Sequence, residues 1–454
     1  MLKINKGIFK AYDIRGIYPE EINEETAYKI AQAYVEFVKP KEVVLGKDVR
    51  LSSPSLWRAA AQGINDAGVD VIDIGTISTD MLYFSVAQYG FDGGITISAS
   101  HNPVQYNGMK MVREKAIPIS SDTGIQEIME IVLKSKKITV KKKGQIIVKD
   151  IMEDYLKHVR SFIDTNKIRP LKIVANANFG LAGVVAEKLA KEMPLKIIGI
   201  NFTPDGSFPK GRPDPLIPEN RQETIGRIKE TGADFGVAWD ADADRCFFFD
   251  EKGEFAQGYF ITALLAKTFL NRYPGSKIIF DPRLTWANID TVRENGGIPL
   301  INKCGHSFFK DRMRQEDAVF AGETSAHYYF RDNYYADNGM IPFMVMLEIL
   351  SSSGKTLSEL LAPFKDKYFV SGEINKEARN KERILQVIEE KYKESKIEHI
   401  DGLSVEYDDW RFNLRLSNTE PLLRLNLEAK SKILMEEKLY EITKLIDQIE
   451  NNIN

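Results

Sequence analysis

The sequence predicts an α/β protein with three similar mixed α/β domains in tandem and a smaller C-terminal α+β domain. Two observations carry this prediction. At 454 residues the chain is longer than one hydrophobic core usually supports. Helix-type and strand-type hydrophobic patterns alternate in three successive rounds, which is typical of βαβ units. The predicted domains span residues 1–146, 147–252, 253–367 and 368–454.

The first round runs from residue 2 to residue 100. Its apolar spacing predicts helices near 24–38 and 54–67. β-branched runs predict strands at 43–45, 69–74 and 94–97.

The next two rounds repeat the alternation. The second is predicted as a strand at 171–174, an alanine-rich helix through Lys191 and a strand at 195–200. The third is predicted as helices at 259–270 and 286–294, with strands at 277–280, 298–301 and 318–321.

Three stretches lie between or after the predicted helices and strands of these rounds. A lysine-rich run at 134–143 predicts a solvated linker or an edge hairpin, with a partner-binding patch as the alternative. Residues 203–218 are too rich in proline for a helix or a central strand, so they predict a structured loop. Residues 363–368 mark the last boundary. Beyond it we predict a strand at 369–374, a helix at 382–393, strands within 410–427 and a long terminal helix.

Composition excludes several classes of protein. A net charge of -3 favours neither nucleic acid nor a membrane surface as a partner. No apolar run approaches the roughly 20 residues of a spanning helix, and no signal peptide is recognisable at the start, so we expect a cytoplasmic protein. Only Cys246 and Cys304 are present, which argues against a disulfide framework or a zinc site.

One stretch offers a hydroxyl nucleophile on a tight turn. Ser100 follows a predicted strand and precedes Pro103, which is a position that exposes a side chain, and Lys110 lies shortly after. His101 and a nearby Asn-Gly pair add turn-forming polar groups that can donate to an anion. A helix cap is the alternative role for this serine, and Ser98 is the alternative hydroxyl. We predict that Ser100 is the nucleophile.

Asp240, Asp242 and Asp244 form a cluster of alternate acids. At the end of an extended strand, a spacing of two would direct all three carboxylates to one side. Carboxylates this close repel each other unless a cation lies among them. A calcium loop also starts with alternate acids, but here an apolar run follows and no bidentate glutamate stands at the required offset. We therefore favour magnesium, with a phosphate as a further ligand, over calcium and over exposed solubilising acids.

Two further stretches predict contacts with a sugar. Glu323, Ser325 and His327 follow an apolar strand and offer an acid, a hydroxyl and an imidazole, which suit the donors and acceptors of sugar hydroxyls. A turn with incidental polar residues explains them equally well. His306 precedes a helical pattern and is either a helix-start residue or an acid/base group.

A polar turn near the C-terminus has the composition of a phosphate cradle. Ser417, Asn418 and Thr419 stand between Arg415 and Arg424. Guanidinium groups bind phosphate through paired donors, so we predict a phosphate site. Surface salt bridging is the alternative.

Taken in order, these motifs resemble those of the α-D-phosphohexomutase superfamily, in its phosphomannomutase/phosphoglucomutase branch. The resemblance spans nearly the whole chain. Residues 96–110 resemble the phosphoserine loop, 240–245 the metal loop, 322–327 the sugar-binding loop and 415–419 the phosphate-binding loop. It implies three related α/β domains and a C-terminal domain with a TATA-binding-protein-like fold, arranged around a central cleft.

The resemblance also implies catalytic roles. Ser100 would carry the phosphoryl group and ligate one magnesium ion together with the three aspartates. Arg15 and Lys110 would flank the phosphoserine. Lys110 and His306 are the acid/base candidates, and His101 completes the catalytic set. A lysine can act as a base only if its pKa falls well below about 10, and we expect magnesium and neighbouring arginines to lower it.

The residues implied in substrate binding depart from the common pattern in places. Arg283 stands where related mutases often carry a lysine, and Ala326 stands where glycine is common. These departures bear on the preferred sugar more than on the type of reaction. Arg245 would support the metal loop as well as bind substrate. The full substrate-binding set is Arg245, Arg283, Glu323, Ser325, His327, Arg415, Ser417, Asn418, Thr419 and Arg424.

The predicted function is that of a phosphohexomutase. It interconverts hexose 1-phosphate and hexose 6-phosphate, with mannose and glucose as sugars, through a phosphoserine and a hexose 1,6-bisphosphate that is also an activator. Sugar phosphates are the expected partners. The sequence leaves open a phosphoglucosamine mutase, a non-catalytic sugar-phosphate sensor and a metal-dependent phosphatase. It also leaves open the oligomeric state, with a homodimer as one alternative.

Overall fold

The computed structural model of the chain describes residues 4–134, 138, 140–416 and 422–451. The chain folds as two compact units. One unit comprises Met1–Ala256 and His327–Leu357, and the other comprises Gln257–Ala326 and Ser358–Asn454. The stretch predicted as a third domain is therefore divided between the units, and the four predicted boundaries stay predictions.

The first unit begins with a six-stranded sheet. Its strands are β1 Ile14–Ile17, β2 Glu42–Lys47, β3 Asp70–Thr76, β4 Gly93–Ile97, β5 Tyr106–Arg113 and β6 Ile146–Val148. Its helices are α1 Glu24–Val38, α2 Ser53–Asp66, α3 Thr79–Tyr89 and α4 Gln126–Lys134. The strand order is β1-β5-β4-β2-β3-β6, with β4, β2, β3 and β6 parallel and β5 antiparallel to both of its neighbours.

Local signals in the sequence explain these helices. The Asn23 side chain accepts a hydrogen bond from the amide of Thr26, which caps the start of α1. Lys39 ends the helix in a left-handed conformation with φ of 56°. Pro54 stands in the first turn of α2, where its missing N–H leaves no helical hydrogen bond unmade. Apolar faces of both helices pack on the sheet, with Ile30 and Leu56 fully buried.

A second sheet of the first unit follows. Its helices are α5 Met152–Arg160, α6 Ala182–Ala190 and α7 Gln222–Thr231, and its strands are β7 Leu171–Asn176, β8 Leu195–Ile200, β9 Phe235–Trp239, β10 Cys246–Phe249 and β11 Phe255–Ala256. The strand order is β11-β10-β9-β7-β8. Residues 203–217 hold no helix or strand, which confirms the loop predicted from their prolines.

The first segment of the second unit carries three parallel strands. Its elements are α8 Gly258–Arg272, β12 Lys277–Phe280, α9 Trp286–Glu294, β13 Ile298–Ile301, α10 His306–Glu316 and β14 Phe320–Gly322. β12 pairs with β13 on one side and with β14 on the other. The chain then returns to the first unit with β15 Tyr328–Phe330, β16 Ala336–Asp337 and the apolar helix α11 Met340–Ser353.

The C-terminal part of the second unit is an antiparallel sheet with helices. Its elements are α12 Leu357–Lys365, β17 Phe369–Glu377, α13 Lys381–Lys391, β18 Lys396–Glu398, β19 Leu403–Glu406, β20 Trp410–Leu416, β21 Leu422–Ala429 and α14 Lys432–Asn451. The strand order is β17-β21-β20-β19-β18. The predicted α/β class with a C-terminal α+β part is confirmed. Among the described residues, none of the helices combines the length and apolar character needed to cross a membrane.

Candidate active site

The serine loop, residues 98–105, joins β4 to β5. Ser100 takes a left-handed backbone conformation with φ of 49°. Its amide donates to the hydroxyl of Ser98 at 3.0 Å, so Ser98 holds the turn. The left-handed residue turns the chain sharply and carries the Ser100 hydroxyl to the segment that follows β9.

Arg50 fixes this loop through its backbone. The guanidinium is 1% exposed, and Nη2 donates to the carbonyl oxygens of Ser100 and Asn102, both at 2.7 Å. Nη1 donates to the carbonyl of Pro103 in the loop at 2.9 Å and to that of Tyr106, the first residue of β5, at 3.0 Å. Asp48 lies 3.3 Å from Nε and neutralises the charge. Because one buried cation satisfies four carbonyls, the loop conformation depends on this side chain.

The aspartate turn, residues 240–245, joins β9 to β10. The prediction that these residues extend a strand is wrong, because Ala243 is left-handed with φ of 53° and its amide donates to the carbonyl of Asp240 at 3.1 Å. The three carboxylates nevertheless converge. One oxygen each of Asp240, Asp242 and Asp244 lies within 4.8 Å of the others. A tight turn, and not strand periodicity, brings them together.

The serine loop meets the aspartate turn at Asp240. Ser100 Oγ lies 3.2 Å from Asp240 Oδ2. Arg245 Nε donates to the same oxygen at 2.8 Å, and Arg245 Nη1 lies 3.3 Å from Asp214. Burial raises the pKa of Asp240 well above its usual range, against the opposing charge of Arg245. Arg245 thus holds the aspartate turn, while its predicted roles in supporting a metal loop and in binding substrate stay predictions.

Lys110 and Thr79 hold the other two aspartates. Lys110 Nζ donates to Asp242 at 2.7 Å and to Asp244 at 2.6 Å. The Thr79 hydroxyl donates to Asp242 Oδ2 at 2.6 Å, and its amide donates to the Asp242 carbonyl at 2.9 Å. Burial lowers the pKa of Lys110, but the two carboxylates outweigh burial and raise it well above its ordinary value. The chain by itself therefore does not produce the lowered lysine pKa expected from the sequence.

The residues present fit a divalent cation with a preference for oxygen ligands. Asp242 Oδ1 and Asp244 Oδ1 are buried and accept no hydrogen bond from the residues that the structure describes. An unsatisfied buried carboxylate oxygen is costly, and a cation between two of them removes that cost. All ligands of this cluster are carboxylates, which suits magnesium better than a soft transition metal.

Arg15 and His101 flank Ser100. His101 Nδ1 lies 3.0 Å from Ser100 Oγ. Burial lowers the pKa of His101 well below its ordinary value, and three nearby arginines lower it further. Arg15 Nε donates to Asp13 at 2.8 Å, and its Nη1 donates to the side chain of Asn102 in the serine loop. The hydroxyl therefore contacts an uncharged imidazole, and a guanidinium contacts the loop that carries the hydroxyl.

The motif predicted to bind sugar is divided between the two units. His327 belongs to the first unit, where its Nε2 lies 3.6 Å from Asp244 Oδ1 and its backbone bridges that of Arg245. Glu323 and Ser325 belong to the second unit. The structure thus brings His327 to the aspartate turn, while its role in sugar binding stays a prediction.

Arg283 organises the polar cluster of the second unit. Asp281 accepts from Arg283 Nε at 2.9 Å and from Nη2 at 2.7 Å, which is the paired geometry of a strong ion pair. Nη2 also lies 3.5 Å from Ser325 Oγ and 3.8 Å from Glu323 Oε1. Three of the predicted substrate-binding residues are therefore together.

His306 is the first residue of α10, so the helix-start interpretation of the sequence is confirmed. Gly305 precedes it with φ of 125°, a conformation that favours glycine, and its amide donates to Glu323 Oε1 at 3.0 Å. His306 Nδ1 lies 3.3 Å from Lys310 Nζ. The start of α10 is thus tied to the polar cluster, and the acid/base role of His306 stays a prediction.

Arg415 and Arg424 lie opposite each other on β20 and β21. Both form ion pairs with Glu373, whose carboxylate lies 3.0 Å from Arg415 Nη2 and 3.7 Å from Arg424 Nη1. Burial raises the pKa of Glu373, but the arginines outweigh burial and lower it. Two cations share one carboxylate, so the pair keeps an excess of positive charge. Ser417, Asn418 and Thr419 lie outside the described residues.

Sequence reasoning missed several supporting residues. Thr79 follows a strand and opens a helix, so its pattern indicates a cap and nothing more. Arg411 on β20 binds Glu428 on β21 at 2.9 Å and donates to the carbonyl of Arg283 at 3.2 Å. In sequence they are two charges within strand patterns. Only the fold shows that Arg411, paired with Glu428, holds the backbone at Arg283.

The sequence matches the four domains of one protein family. Residues 6–139, 153–253 and 257–368 match the phosphoglucomutase/phosphomannomutase alpha/beta/alpha domains I, II and III, and residues 373–444 match its C-terminal domain.

Individual proteins show the same similarity. A phosphomannomutase of Vibrio cholerae serotype O1 is 47% identical over 456 residues, which cover 97% of this chain and 98% of the relative. A Xanthomonas campestris pv. campestris protein named phosphohexose mutases is 44% identical over 441 residues, 96% of this chain and 98% of its own. The crystal structure of a phosphoglucomutase/phosphomannomutase family protein from Burkholderia thailandensis superposes with a TM-score of 0.89 at 32% identity, covering 98% of each chain.

Proposed function

Because the chain belongs to the phosphoglucomutase/phosphomannomutase family and is a mutase, we propose that it interconverts hexose 1-phosphates and hexose 6-phosphates, with mannose and glucose as its sugars. The observation that supports this most directly is the meeting of one hydroxyl with three carboxylates. Ser100 Oγ lies 3.2 Å from Asp240, which belongs to the converging cluster. A hydroxyl that accepts a phosphoryl group beside a cation site is what reversible transfer requires.

In the proposed reaction, phosphorylated Ser100 donates its phosphoryl group to the free hydroxyl of the substrate. The bond between phosphorus and the serine oxygen breaks, a bond between phosphorus and the sugar oxygen forms, and the hydroxyl proton passes to a base. The product is a hexose 1,6-bisphosphate. After the bisphosphate reorients, its other phosphoryl group returns to Ser100 and the released sugar oxygen takes up a proton. The sugar has exchanged its phosphate position and the enzyme is phosphorylated again.

Charge neutralisation is the main task of the residues near Ser100. The carboxylates of residues 240–244 and phosphorylated Ser100 would hold one magnesium ion, which would offset part of the phosphoryl charge of about −1.5 to −2. Arg15 and Lys110 contribute positive charge to the same region. His101 stands close enough to exchange a hydrogen bond with Ser100. Lys110 and His306 remain the candidates for the acid/base role.

We assign sugar and distal phosphate binding to residues of the second unit. Glu323 and Ser325 offer an acceptor and a hydroxyl beside Arg283. Arg415 and Arg424 share Glu373, so an incoming phosphate would take the place of that carboxylate as their partner. These arginines bind without taking part in bond breaking, so their loss should raise KM.

The mass of the intact chain tests the phosphoserine. We expect one added phosphoryl group after incubation with a hexose 1,6-bisphosphate and its loss on incubation with a hexose monophosphate. Ser100→Ala should accept no phosphoryl group and show no turnover. Ser98→Ala is the matched control, and it should still be phosphorylated because Ser98 only holds the turn. Phosphorylation of Ser100→Ala would contradict the assignment.

Phosphoglucosamine mutase is the second candidate, because it would share the catalytic residues and differ in the sugar-binding loop, where Ala326 stands in place of the common glycine. Mannose 1-phosphate, glucose 1-phosphate and glucosamine 1-phosphate should be assayed side by side, with and without a trace of bisphosphate. We expect isomer formation with mannose and glucose and much slower turnover of glucosamine. A preference for glucosamine 1-phosphate would instead identify the chain as a phosphoglucosamine mutase. Release of inorganic phosphate in place of an isomer would indicate a phosphatase.

A further inference from the structure

The edge strand β6 has an exposed apolar surface. Its residues Ile146, Ile147 and Val148 are 49%, 45% and 79% exposed. β6 is the last strand in the order of its sheet and, among the described residues, pairs with β3 alone. An open apolar edge is a template for pairing with another chain unless charge or a covering segment blocks it. We propose that β6 is a dimerisation strand, which pairs antiparallel with β6 of a second copy of this chain.

The outward backbone groups of β6 match a twofold pairing. Gln145 and Lys149 make backbone hydrogen bonds to β3, at 2.8 and 2.9 Å. In a parallel ladder alternate residues face the neighbour, so Ile146 and Val148 direct their amide and carbonyl groups outward. An antiparallel partner centred on Ile147 places each Ile146 opposite a Val148. That single register engages all four outward groups of each copy.

The charges that flank β6 favour the antiparallel direction. Residues 141–143 before the strand are three lysines, while Asp150 and the acidic first turn of α5 follow it. Antiparallel pairing brings the basic end of one copy beside the acidic end of the other, whereas parallel pairing brings like charges together. Two lysines do not fit this scheme. Lys149 follows the strand, with its ammonium 3.9 Å from the centre of the Tyr89 ring, and Lys143 is paired with Asp66 of its own chain at 2.5 Å. Lys141 and Lys142 therefore carry the basic charge of this end.

A groove beside β6 fits the most exposed side chain. The groove has a volume of 290 Å³, and its lining is mixed. Trp57, Ala61 and Ile146 form its apolar part, and the polar or charged side chains of Arg58, Gln62, Asn65, Asp66 and Lys143 line the rest together with Gly144. Directly opposed residues of antiparallel strands share a face of the sheet. Val148 of the second copy would therefore lie on the face of Ile146, next to this groove. The residue that is 79% exposed in the single chain would lie beside Ile146, in the apolar part of the groove, in the pair.

The pairing leaves the serine loop untouched. In the sheet order β4-β2-β3-β6, three steps separate β6 from β4, which leads into the serine loop. A twofold pair is closed, so the association stops at a dimer and forms no filament. Substitutions on β6 should therefore change the oligomeric state and leave mutase activity unaltered.

Sedimentation equilibrium of the full chain tests the proposal. We expect the wild type to reach twice the 51.5 kDa of one chain at micromolar concentration. Ile147→Lys places two ammonium groups opposite each other on the twofold axis, and it should sediment as a single chain with wild-type activity. Ile433→Lys on α14, where the residue is 78% exposed, is the matched control and should stay dimeric. A monomeric wild type, or an Ile147→Lys variant that remains dimeric, overturns the proposal.

Disulfide capture tests the register independently. On the axis, two Ile147 Cα atoms would lie about 4.5 Å apart, within the range that a disulfide spans. Oxidised Ile147→Cys should give a covalent dimer much faster than Ile433→Cys and than the wild type, whose Cys246 is buried and whose Cys304 is partly buried. Equal rates for Ile147→Cys and Ile433→Cys would refute the antiparallel register.

Discussion

Replacing Thr79 by valine should weaken cation binding at the aspartate cluster. The substitution keeps the shape of the side chain and the amide bond to the Asp242 carbonyl at 2.9 Å. It removes the hydroxyl that donates to Asp242 Oδ2 at 2.6 Å. Asp242 is then held on that oxygen by Lys110 alone, at 2.7 Å. The carboxylate of Asp242 thus loses one of the two hydrogen bonds that fix its orientation.

The expected size follows from that single bond. A hydrogen bond to a charged group contributes about 1.5–3 kcal/mol net. Because Lys110 remains, we expect the lower half of that range to appear in the binding of the cation. Loss of a residue that orients a metal ligand typically costs about 10- to 100-fold in affinity, which agrees with this range. The dissociation constant for Mn²⁺ or Mg²⁺ should therefore rise by about 10-fold or more in Thr79→Val.

Two measurements separate this effect from general damage. Binding of Mn²⁺, followed by electron paramagnetic resonance on the chain without substrate, gives the affinity directly. The magnesium dependence of turnover gives the same quantity in the working enzyme. Thr79→Ser restores the hydroxyl and should return both values to within a few-fold of the wild type. Unchanged Mn²⁺ affinity in Thr79→Val, or equal loss in Thr79→Ser, would refute the reasoning.

Three further substitutions have defined outcomes. Burial raises the pKa of Asp80 from 3.8 to about 7. Between these pH values the unfolded chain releases a proton that the folded chain retains. As pH rises from about 4 to about 7, this carboxyl should therefore lower the free energy of unfolding by up to about 4 kcal/mol. Asp80→Asn should therefore lose less thermal stability than the wild type between pH 5 and pH 8, and parallel profiles would contradict the shift. Arg50→Lys keeps the charge but cannot reach four carbonyls, so it should lower the free energy of unfolding by about 1–3 kcal/mol for each carbonyl left unpaired. The melting temperature and kcat should both fall, and an unaltered melting curve would show that the contacts of Arg50 are dispensable. Arg415→Ala should raise KM about 10-fold or more while the extent of Ser100 phosphorylation by bisphosphate stays normal, and unchanged steady-state kinetics would remove Arg415 from the substrate site.

The regular elements could be predicted because their signals are local. The helices at 24–38 and 286–294 and the strands at 195–200 and 298–301 lie where their periodicity places them. Each signal needs only neighbours within a few residues, as when Asn23 caps its own helix. The helix predicted through residue 393 ends at Lys391, which shows that helix ends are the least determined feature.

The chemistry of the cluster was predictable, but its geometry was not. The alternate acids predict that the three carboxylates converge, but the extended strand predicted to bring them together is wrong. In the structure, Ala243 turns left-handed, and no propensity of alanine predicts that conformation. The raised pKa of Lys110 likewise depends on partners more than 130 residues away in the chain. Long-range pairings of this kind leave no local pattern.

The balance of charge around the aspartates couples the phosphoserine to the cation. Lys110 is the one ammonium that contacts both Asp242 and Asp244 in the described part of the chain, and each of these carboxylates keeps a buried oxygen that accepts no hydrogen bond there. These unsatisfied oxygens already favour a cation. Phosphorylation of Ser100 adds about −1.5 to −2 of charge next to Asp240, which should strengthen cation binding further. Linkage then requires the converse, that a bound cation stabilises the phosphorylated chain by the same factor. Phosphorylated chain should therefore bind Mn²⁺ more tightly than dephosphorylated chain, and equal affinities would mean that the serine oxygen and the three carboxylates do not share one ion.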